Sequence, residues 1–229
     1  MDRNSNGYTF LFAGIMVTVV GALLAFTATS LKPAQDENVK KEKMQNILAS
    51  VGVVVDREAA GAKFESVIKE KLALKEDGSV ANGVDAFNVD LKEELSKPAS
   101  AQTYPLYLAE EGGKKFYIIP LRGAGLWDAI WGYVALEEDM NTVKGAVFDH
   151  KGETPGLGAE ITQKWFQDRF VGKKIKNASG KIEGVKVVKS NATPNDVDAI
   201  SGATITSDGV SAMVAERLAH YQNYFDKQK

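Results

Sequence analysis

Residues 198–204 read Asp198-Ala199-Ile200-Ser201-Gly202-Ala203-Thr204 and stand directly before a stretch with the apolar period of a helix. Its apolar residues recur at spacings of 3, 1, 4 and 3: Val210, Met213, Val214, Leu218 and Tyr221. Three residues could each cap the helix N-terminus: Thr206, Ser207 or Asp208. We therefore expect Thr204 in a tight turn just ahead of the helix. Unpaired N–H groups and the positive end of the helix dipole favour a phosphate there, although a plain turn and helix cap fit the same residues.

The composition narrows the classes of function. The chain has 229 residues, no cysteine and a formal net charge of −2. The absence of cysteine excludes disulfides, thiolate metal ligands, cysteine-ligated iron–sulfur clusters and thiol catalysis. Its two histidines, His150 and His220, lie far apart, so we expect no metal site. No basic stripe is present, so we also expect no nucleic-acid partner. Any redox chemistry would then depend on a bound organic cofactor.

The N-terminal part has the pattern of a membrane span. No charged residue occurs between Arg3 and Lys32. We predict a short cytoplasmic N-terminus at residues 1–9 and a transmembrane helix at residues 10–30, since about 20 helical residues match a bilayer core of about 30 Å. A cleaved signal peptide, with a small-residue site at residues 25–28, is the alternative; we favour the retained anchor because the apolar run exceeds a usual signal core. Positively charged residues are enriched on the cytoplasmic side of a span, so the lysines that follow residues 10–30 do not favour export of the C-terminal part.

The remaining sequence predicts a membrane-proximal α/β region at residues 31–100 and a second domain at residues 101–229. The predicted elements are a helix-prone segment at 36–50, a short strand at 51–55, a helix at 57–72, hairpins at 105–121 and 131–148, a helix at 159–170, a strand at 184–188 and a helix at 207–225. Hairpins with helices between and after them predict an α+β fold, with a mostly antiparallel sheet and flanking helices.

A second informative segment, residues 153–158, reads Glu-Thr-Pro-Gly-Leu-Gly. Gly156 and Gly158 carry no side chain, so the backbone there could approach a flat ring. Leu157 could lie against the face of that ring, and Thr154 offers a hydroxyl to its edge. As a bare pattern, the segment also fits a Pro/Gly turn before a helix.

Both segments resemble the motifs of a family of covalent FMN-binding domains. In that family a dedicated flavin transferase, using FAD as donor, joins FMN to the last threonine of Asp-Ala-Ile-Ser-Gly-Ala-Thr through a phosphoester; Thr204 is the matching position. Residues 123–127, Gly-Ala-Gly-Leu-Trp, resemble a third stretch whose tryptophan borders the flavin, although Trp127 could equally be a core aromatic. The resemblance implies a covalent FMN and these binding residues: Thr204, Ser201, Gly202, Ala203, Thr206, Thr154, Gly156, Leu157, Gly158, Trp127 and Lys189.

Together with the predicted anchor, the motifs resemble the C subunits of sodium-translocating NADH:quinone oxidoreductases. This resemblance implies a redox subunit of a six-subunit complex in a bacterial inner membrane, with its FMN domain on the periplasmic side. It further implies that electrons from NADH arrive through an intramembrane iron centre and leave to a flavin on the next subunit, coupled to sodium export and quinone reduction. No catalytic residue is expected; Glu153 would orient its loop, and Asp198 would present Thr204 to the transferase.

Two other classes of function remain open from the sequence. The G subunits of Rnf electron-transport complexes share the anchor and both flavin motifs, and a free-standing membrane-anchored flavoprotein would share them too. The third class is a non-redox anchored binding domain, in which residues 201–204 are merely a helix cap.

Overall fold

The computed structural model describes residue 3, residues 5–190 and residues 193–228. Residues 1, 2 and 4 of the predicted cytoplasmic N-terminus therefore lie outside the described residues. The chain divides into two compact units, Met1–Lys43 and Met44–Lys229.

Helix α1 spans Asn6–Ser50 and includes Pro33 in its interior. Among the described residues it is the one helix long and apolar enough to cross a membrane, with a mean hydropathy of 2.3 in its most apolar window. The predicted span at residues 10–30 lies wholly inside it, and the helix-prone segment at residues 36–50 continues it without a break. All of the apolar window is exposed, as expected of a segment that a protein core does not cover.

The second unit is built on one antiparallel sheet of five strands in the order β1-β2-β3-β4-β5. The strands are β1 (Ile68–Leu74), β2 (Tyr104–Glu111), β3 (Lys114–Ala124), β4 (Ala129–Leu136) and β5 (Val143–His150). Both predicted hairpins are confirmed, since β2 pairs with β3 and β4 with β5 in antiparallel register. Gly112 and Gly113, both at positive φ, connect the first pair, as the tight turn requires.

Helices cover both faces of the sheet. They are α2 (Ala60–Val67), α3 (Leu91–Glu94), α4 (Lys164–Gln167), α5 (Thr204–Ala219) and α6 (Gln222–Asp226), with 3-10 turns at Ala86–Asn88, Ala99–Ala101, Gly158–Thr162 and Asp168–Phe170. A short parallel pair, β6 (Val187–Val188) and β7 (Val197–Asp198), leads into α5. The predicted α+β class, with an apolar N-terminal helix, a mostly antiparallel sheet and flanking helices, is confirmed.

Neighbouring residues of the central strands belong to two separate cores, because side chains along a strand alternate between its faces. Leu106 and Val134 join the cluster that contains the buried face of α5. The next residues, Tyr107 and Ala135, join a second cluster with α2 and the last turn of α1.

Helix α5 lies directly on the end of β3. A Cβ at Gly209 would overlap the carbonyl oxygen of Ala124, and one at Gly123 would lie 2.8 Å from the Cβ of Met213. The two glycines therefore allow the backbones of helix and strand to approach closely, which places the N-terminus of α5 beside the β3–β4 connection.

Two predictions in the membrane-proximal region are wrong. Residues 51–55 form no strand but the turn that follows α1. Gly52 has a φ of 88°, and the N–H of Val53 donates to the carbonyl of Leu48 at 3.0 Å. The helix predicted at residues 57–72 covers only Ala60–Val67, because β1 begins at Ile68 and pairs with β2. Pairing with the sheet thus overrides the helical spacing of the apolar residues.

The helix predicted at residues 159–170 is broken into the two 3-10 turns and α4. The break lies at Gln163, whose φ of −77° and ψ of 138° are extended. Phe166 and Phe170 are nevertheless both buried and pack against Phe148, with ring centroids 6.1 and 5.0 Å away. The apolar pattern therefore identified the buried face although the backbone is not one helix.

The predicted strand at residues 184–188 shrinks to β6. Gly184 lies at a φ of 76°, and a Cβ there would be 2.8 Å from the Cα of Ala215 on α5. The closing helix predicted at residues 207–225 begins earlier, at Thr204, and is interrupted between α5 and α6.

Candidate functional site

The turn before α5 places Thr204 at the first helical position. Ala203 is the N-cap residue and makes no side-chain cap, while Gly202 adopts a φ of 76° in the turn closed by the Ala203 N–H and the Ile200 carbonyl at 3.0 Å. The prediction that Thr206, Ser207 or Asp208 caps the helix is therefore wrong, because the chain enters the helix before reaching them. The hydroxyl of Ser207 instead accepts the Ile200 N–H at 3.2 Å.

The two threonines of the first turn have opposite environments. Thr204 is exposed, whereas Thr206 is 1% exposed and donates its hydroxyl to the Oε2 of Glu153 at 2.6 Å. The first N–H groups of a helix have no partner within it, and they carry the positive end of its dipole. The hydroxyl of Thr204 thus lies where an anionic group would be stabilised.

Glu153 connects three segments of the site, and we call this arrangement the Glu153 junction. Its Oε2 accepts the Thr206 hydroxyl of α5, and its Oε1 accepts the Trp127 N–H of the β3–β4 connection at 3.0 Å. The backbone N–H groups of Leu126 and Asp128 also bond to this carboxylate. The side chain is 5% exposed. One carboxylate thereby connects the loop at residues 151–158 to the first turn of α5 and to the β3–β4 connection.

The carboxylate of Glu153 is held in its charged form. Burial raises the pKa of this group, but the hydrogen bonds from Thr206 and from the backbone of residues 126–128 outweigh burial and leave the pKa below its usual range. Its own backbone N–H donates to the Nδ1 of His150 at 3.1 Å, which fixes the position of the residue in the loop.

Two glycines of the sequence motifs make room for the Glu153 junction. A Cβ at Gly125 would overlap Oε1 of Glu153, and a Cβ at Gly158 would overlap Oε2 and lie 2.6 Å from the Oγ1 of Thr206. Neither residue has a positive φ, so the backbone conformation does not require glycine there. Glycine is needed at both positions because a side chain would occupy the space of the Glu153 carboxylate.

A third glycine brings the two main motifs into contact. A Cβ at Gly202 would lie 2.8 Å from the Cδ2 of Leu157, so the turn before α5 rests against the loop of the second motif. That loop closes with the N–H groups of Leu157 and Ala159 both donating to the carbonyl of Thr154 at 3.1 Å. Gly156, between Thr154 and Leu157, takes a φ of 75°.

These segments surround an open depression of about 200 Å³, which we call the Thr204 depression. Its lining residues are Leu126, Glu153, Thr154, Leu157, Gly158, Gly202, Ala203, Thr204, Ile205 and Thr206. Pockets that enclose a whole ligand measure about 300–1,000 Å³, so this depression would seat only part of a larger molecule. The apolar side chains of Leu126, Leu157 and Ile205 are exposed around it and offer surface to a flat ring.

Not all of the predicted site residues lie in the depression. Thr154, Leu157, Gly158, Gly202, Ala203, Thr204 and Thr206 line it, whereas Gly156, Ser201, Trp127 and Lys189 do not. Trp127 is 69% exposed beside the lining residue Leu126, so the alternative of a core aromatic is wrong. Lys189 is exposed after β6, and its contact with a flavin stays a prediction.

Sequence reasoning missed Leu126 and Ile205 and gave Glu153 only a minor role. The available signals were a charged residue within a Pro/Gly loop, and apolar residues directly beside Trp127 and Thr204.

The carbonyl of Asp198, at the end of β7, accepts a hydrogen bond from the Arg169 guanidinium at 3.0 Å.

The residues present suit a flavin mononucleotide. An exposed hydroxyl at a helix N-terminus suits its phosphate, the glycine-lined walls admit a narrow chain, and the exposed apolar side chains suit its ring.

Comparisons with known proteins agree with this chemistry. Residues 125–219 match the FMN-binding domain family. The chain is 31% identical to the C subunit of the Na(+)-translocating NADH-quinone reductase of Pseudomonas aeruginosa, over 93% of this chain and 91% of that relative. It is 30% identical to the C subunit of the same reductase from Neisseria meningitidis serogroup B, over 100% of this chain and 96% of that relative.

Two solved structures share the fold. The C subunit of the Na(+)-translocating NADH-quinone reductase from Parabacteroides distasonis has a TM-score of 0.80 and 40% identity, covering 87% of this chain and 98% of that one. NqrC of Shewanella oneidensis has a TM-score of 0.70 and 27% identity, covering 82% and 97% respectively.

Proposed function

Since the chain belongs to the family of Na(+)-translocating NADH-quinone reductase C subunits, we propose that it carries electrons on an FMN joined to Thr204 by a phosphoester. The observation that carries this proposal is the contrast between the two threonines of α5. The Thr204 hydroxyl is exposed in the depression, whereas the Thr206 hydroxyl is buried and bonded to Glu153.

The attachment we propose is a transfer of FMN from FAD by a dedicated transferase. A P–O bond forms between the Thr204 Oγ1 and the FMN phosphorus, the pyrophosphate bond of FAD breaks, AMP leaves, and the hydroxyl proton passes to the transferase or to solvent. The N–H groups at the start of α5 would then hold the phosphate. Asp198, exposed six residues before Thr204, would present the turn to the transferase.

When bound, FMN supplies the electron-transfer chemistry, and the protein positions it. Leu126, Leu157 and Ile205 would cover parts of the ring, with Trp127 at its border. Among the described residues that line the depression, Glu153 is the one ionisable group, and its hydrogen bonds occupy it. This agrees with a carrier in which no side chain acts as acid, base or nucleophile.

The cellular setting of the proposal follows from the family. We propose that residues 10–30 of α1 anchor the chain in a bacterial inner membrane as a retained span, with the domain at residues 101–229 on the periplasmic side. The protein would take electrons that originate from NADH through an intramembrane iron centre and pass them to a flavin on the next subunit of a six-subunit complex. Sodium export and quinone reduction would depend on this flow. The long exposed apolar stretch of α1 supports the membrane anchor.

The test is flavin attachment in full-length protein produced together with its transferase. Wild type should give a fluorescent band on a denaturing gel, and peptide mass mapping should place FMN on Thr204. Thr204→Val should fold and lose the band, whereas Ser201→Ala and Thr206→Val should keep it, since Ser201 lies outside the depression and Thr206 is buried. A band retained by Thr204→Val would refute the proposed attachment. Co-purification of the wild type with a sodium-dependent NADH:quinone reductase tests the role in the complex.

A further inference from the structure

We propose that the Glu153 carboxylate sets the reduction potential of the flavin, as a fixed negative charge in the wall of the Thr204 depression. This inference rests on the proposed function, because it concerns the FMN that the depression would hold. Reduction adds an electron to the flavin and breaks no bond, so a nearby negative charge opposes the step and lowers the potential.

The position of the carboxylate is the first support. Glu153 lines the same depression as Thr204 and Leu157, although its side chain is only 5% exposed. It is therefore close to any ring seated there, yet largely shielded from the water that would otherwise weaken its field.

The charge of the Glu153 carboxylate is also not neutralised by a cationic side chain. All the groups that bond to the carboxylate are neutral: the Thr206 hydroxyl and the backbone N–H groups of residues 126–128. Within residues 3, 5–190 and 193–228, no lysine or arginine forms an ion pair with it. Lys151, two residues away in the sequence, instead pairs with Asp128 at 2.9 Å. The Nδ1 of His150 contacts the backbone N–H of Glu153 at 3.1 Å and not its carboxylate.

Two substitutions separate the effect of charge from that of structure. Glu153→Gln removes the charge but keeps the size and one acceptor oxygen, so it should raise the midpoint potential. Thr206→Val removes one donor and keeps the charge, which is then less well solvated; it should leave the potential unchanged or lower it. If Glu153 only held the loops in place, both variants would loosen the same junction and shift the potential in the same direction.

Glu160 provides a matched control. It is a partly buried carboxylate of the same segment, its Oε1 accepts the Gly156 N–H at 3.2 Å, and it does not line the depression. Glu160→Gln should therefore shift the potential less than Glu153→Gln does.

The experiment uses the full chain, produced with its transferase and purified in detergent. Covalent flavin is first confirmed on a denaturing gel, and each variant is then titrated with dithionite and redox mediators while flavin absorption is followed. A higher potential in Glu153→Gln, without a rise in Thr206→Val, supports the proposal. An unchanged or lower potential in Glu153→Gln, or a rise in Thr206→Val, overturns it. Wild type without covalent flavin would overturn the proposed function and this inference with it, whereas flavinylated variants with an unshifted potential would overturn this inference alone.

Discussion

Gly158→Ala offers a direct test of the Glu153 junction. The added Cβ would overlap Oε2 of Glu153 and lie 2.6 Å from the Oγ1 of Thr206, where these two atoms share a hydrogen bond of 2.6 Å. The bond and the methyl group cannot occupy this space together, so either the side chains separate or the loop moves away from α5.

The magnitude follows from these two possibilities. Loss of a hydrogen bond to a charged group costs about 1.5–3 kcal/mol, and overpacking of a tight site costs about 1–3 kcal/mol. We expect the free energy of unfolding to fall by about 1–3 kcal/mol, which corresponds to a decrease in melting temperature of roughly 2–12 °C for a unit of this size. Flavin attachment should also fall, because Gly158 lines the Thr204 depression and the added methyl group would change its wall.

The assay is thermal unfolding of the full-length protein in detergent, with gel fluorescence as a second readout. Gly152→Ala is the matched control, since a Cβ at Gly152 meets nothing within 4 Å and its φ lies outside the left-handed region. That variant should be neutral or stabilised by up to about 1 kcal/mol. Equal melting temperatures for the two variants, with full flavin in both, would refute the role given to the junction.

Three further predictions follow from burial and charge. Gly209→Ala should destabilise the fold by about 1–3 kcal/mol, because its Cβ would overlap the carbonyl oxygen of Ala124. Gly61→Ala is the control: its Cβ would meet nothing within 4 Å, so the free energy of unfolding should rise by up to about 1 kcal/mol. Equal urea midpoints for the two variants would contradict the close packing of Gly209. The pKa of Glu153 lies below its ordinary value of 4.5 in the folded state, so its stabilising contribution is present above that pH and is lost as the pH falls through the lowered pKa. Glu153→Gln should therefore lower the free energy of unfolding at pH 7 and flatten its decline as the pH falls below 4.5. Urea midpoints that decline with pH as steeply as in wild type would count against this. Trp127→Ala should change the free energy of unfolding by less than about 0.5 kcal/mol, since the side chain is 69% exposed. It should nevertheless alter the absorption and fluorescence of the flavin, and unchanged spectra would show that Trp127 does not belong to the site.

The sequence predicts those parts of the fold that local chemistry determines. Apolar runs on either side of Gly112 and Gly113 identify the first hairpin, and the apolar period after Thr204 identifies α5. The parts that differ depend on distant partners. Residues 68–72 carry a helical spacing but pair with β2, and the helix expected at residues 159–170 breaks at Gln163 while its phenylalanines stay buried. The spacing of apolar residues therefore indicates which side chains are buried more reliably than it indicates whether a helix or a strand carries them.

The site shows the same division. The motif residues could be recognised one by one, but the hydrogen bond between Glu153 and Thr206 joins residues 53 positions apart, and no local pattern specifies it. The helix N-terminus was misplaced for a related reason. A threonine and a serine before an apolar run usually signal a cap, whereas here their hydroxyls bond to Glu153 and to the backbone of Ile200 inside the fold.

The motif residues therefore divide by what they contact. Gly125 and Gly158 leave space for Glu153, and Gly202 leaves space for Leu157, so these glycines determine how the segments around the depression pack together. Thr204 faces the depression and is not needed to build it, because its side chain is exposed. It follows that substitutions at the glycines should disturb folding and flavin attachment together, whereas Thr204→Val should abolish attachment in a protein of unchanged stability. That difference separates residues that build the site from the residue that reacts there.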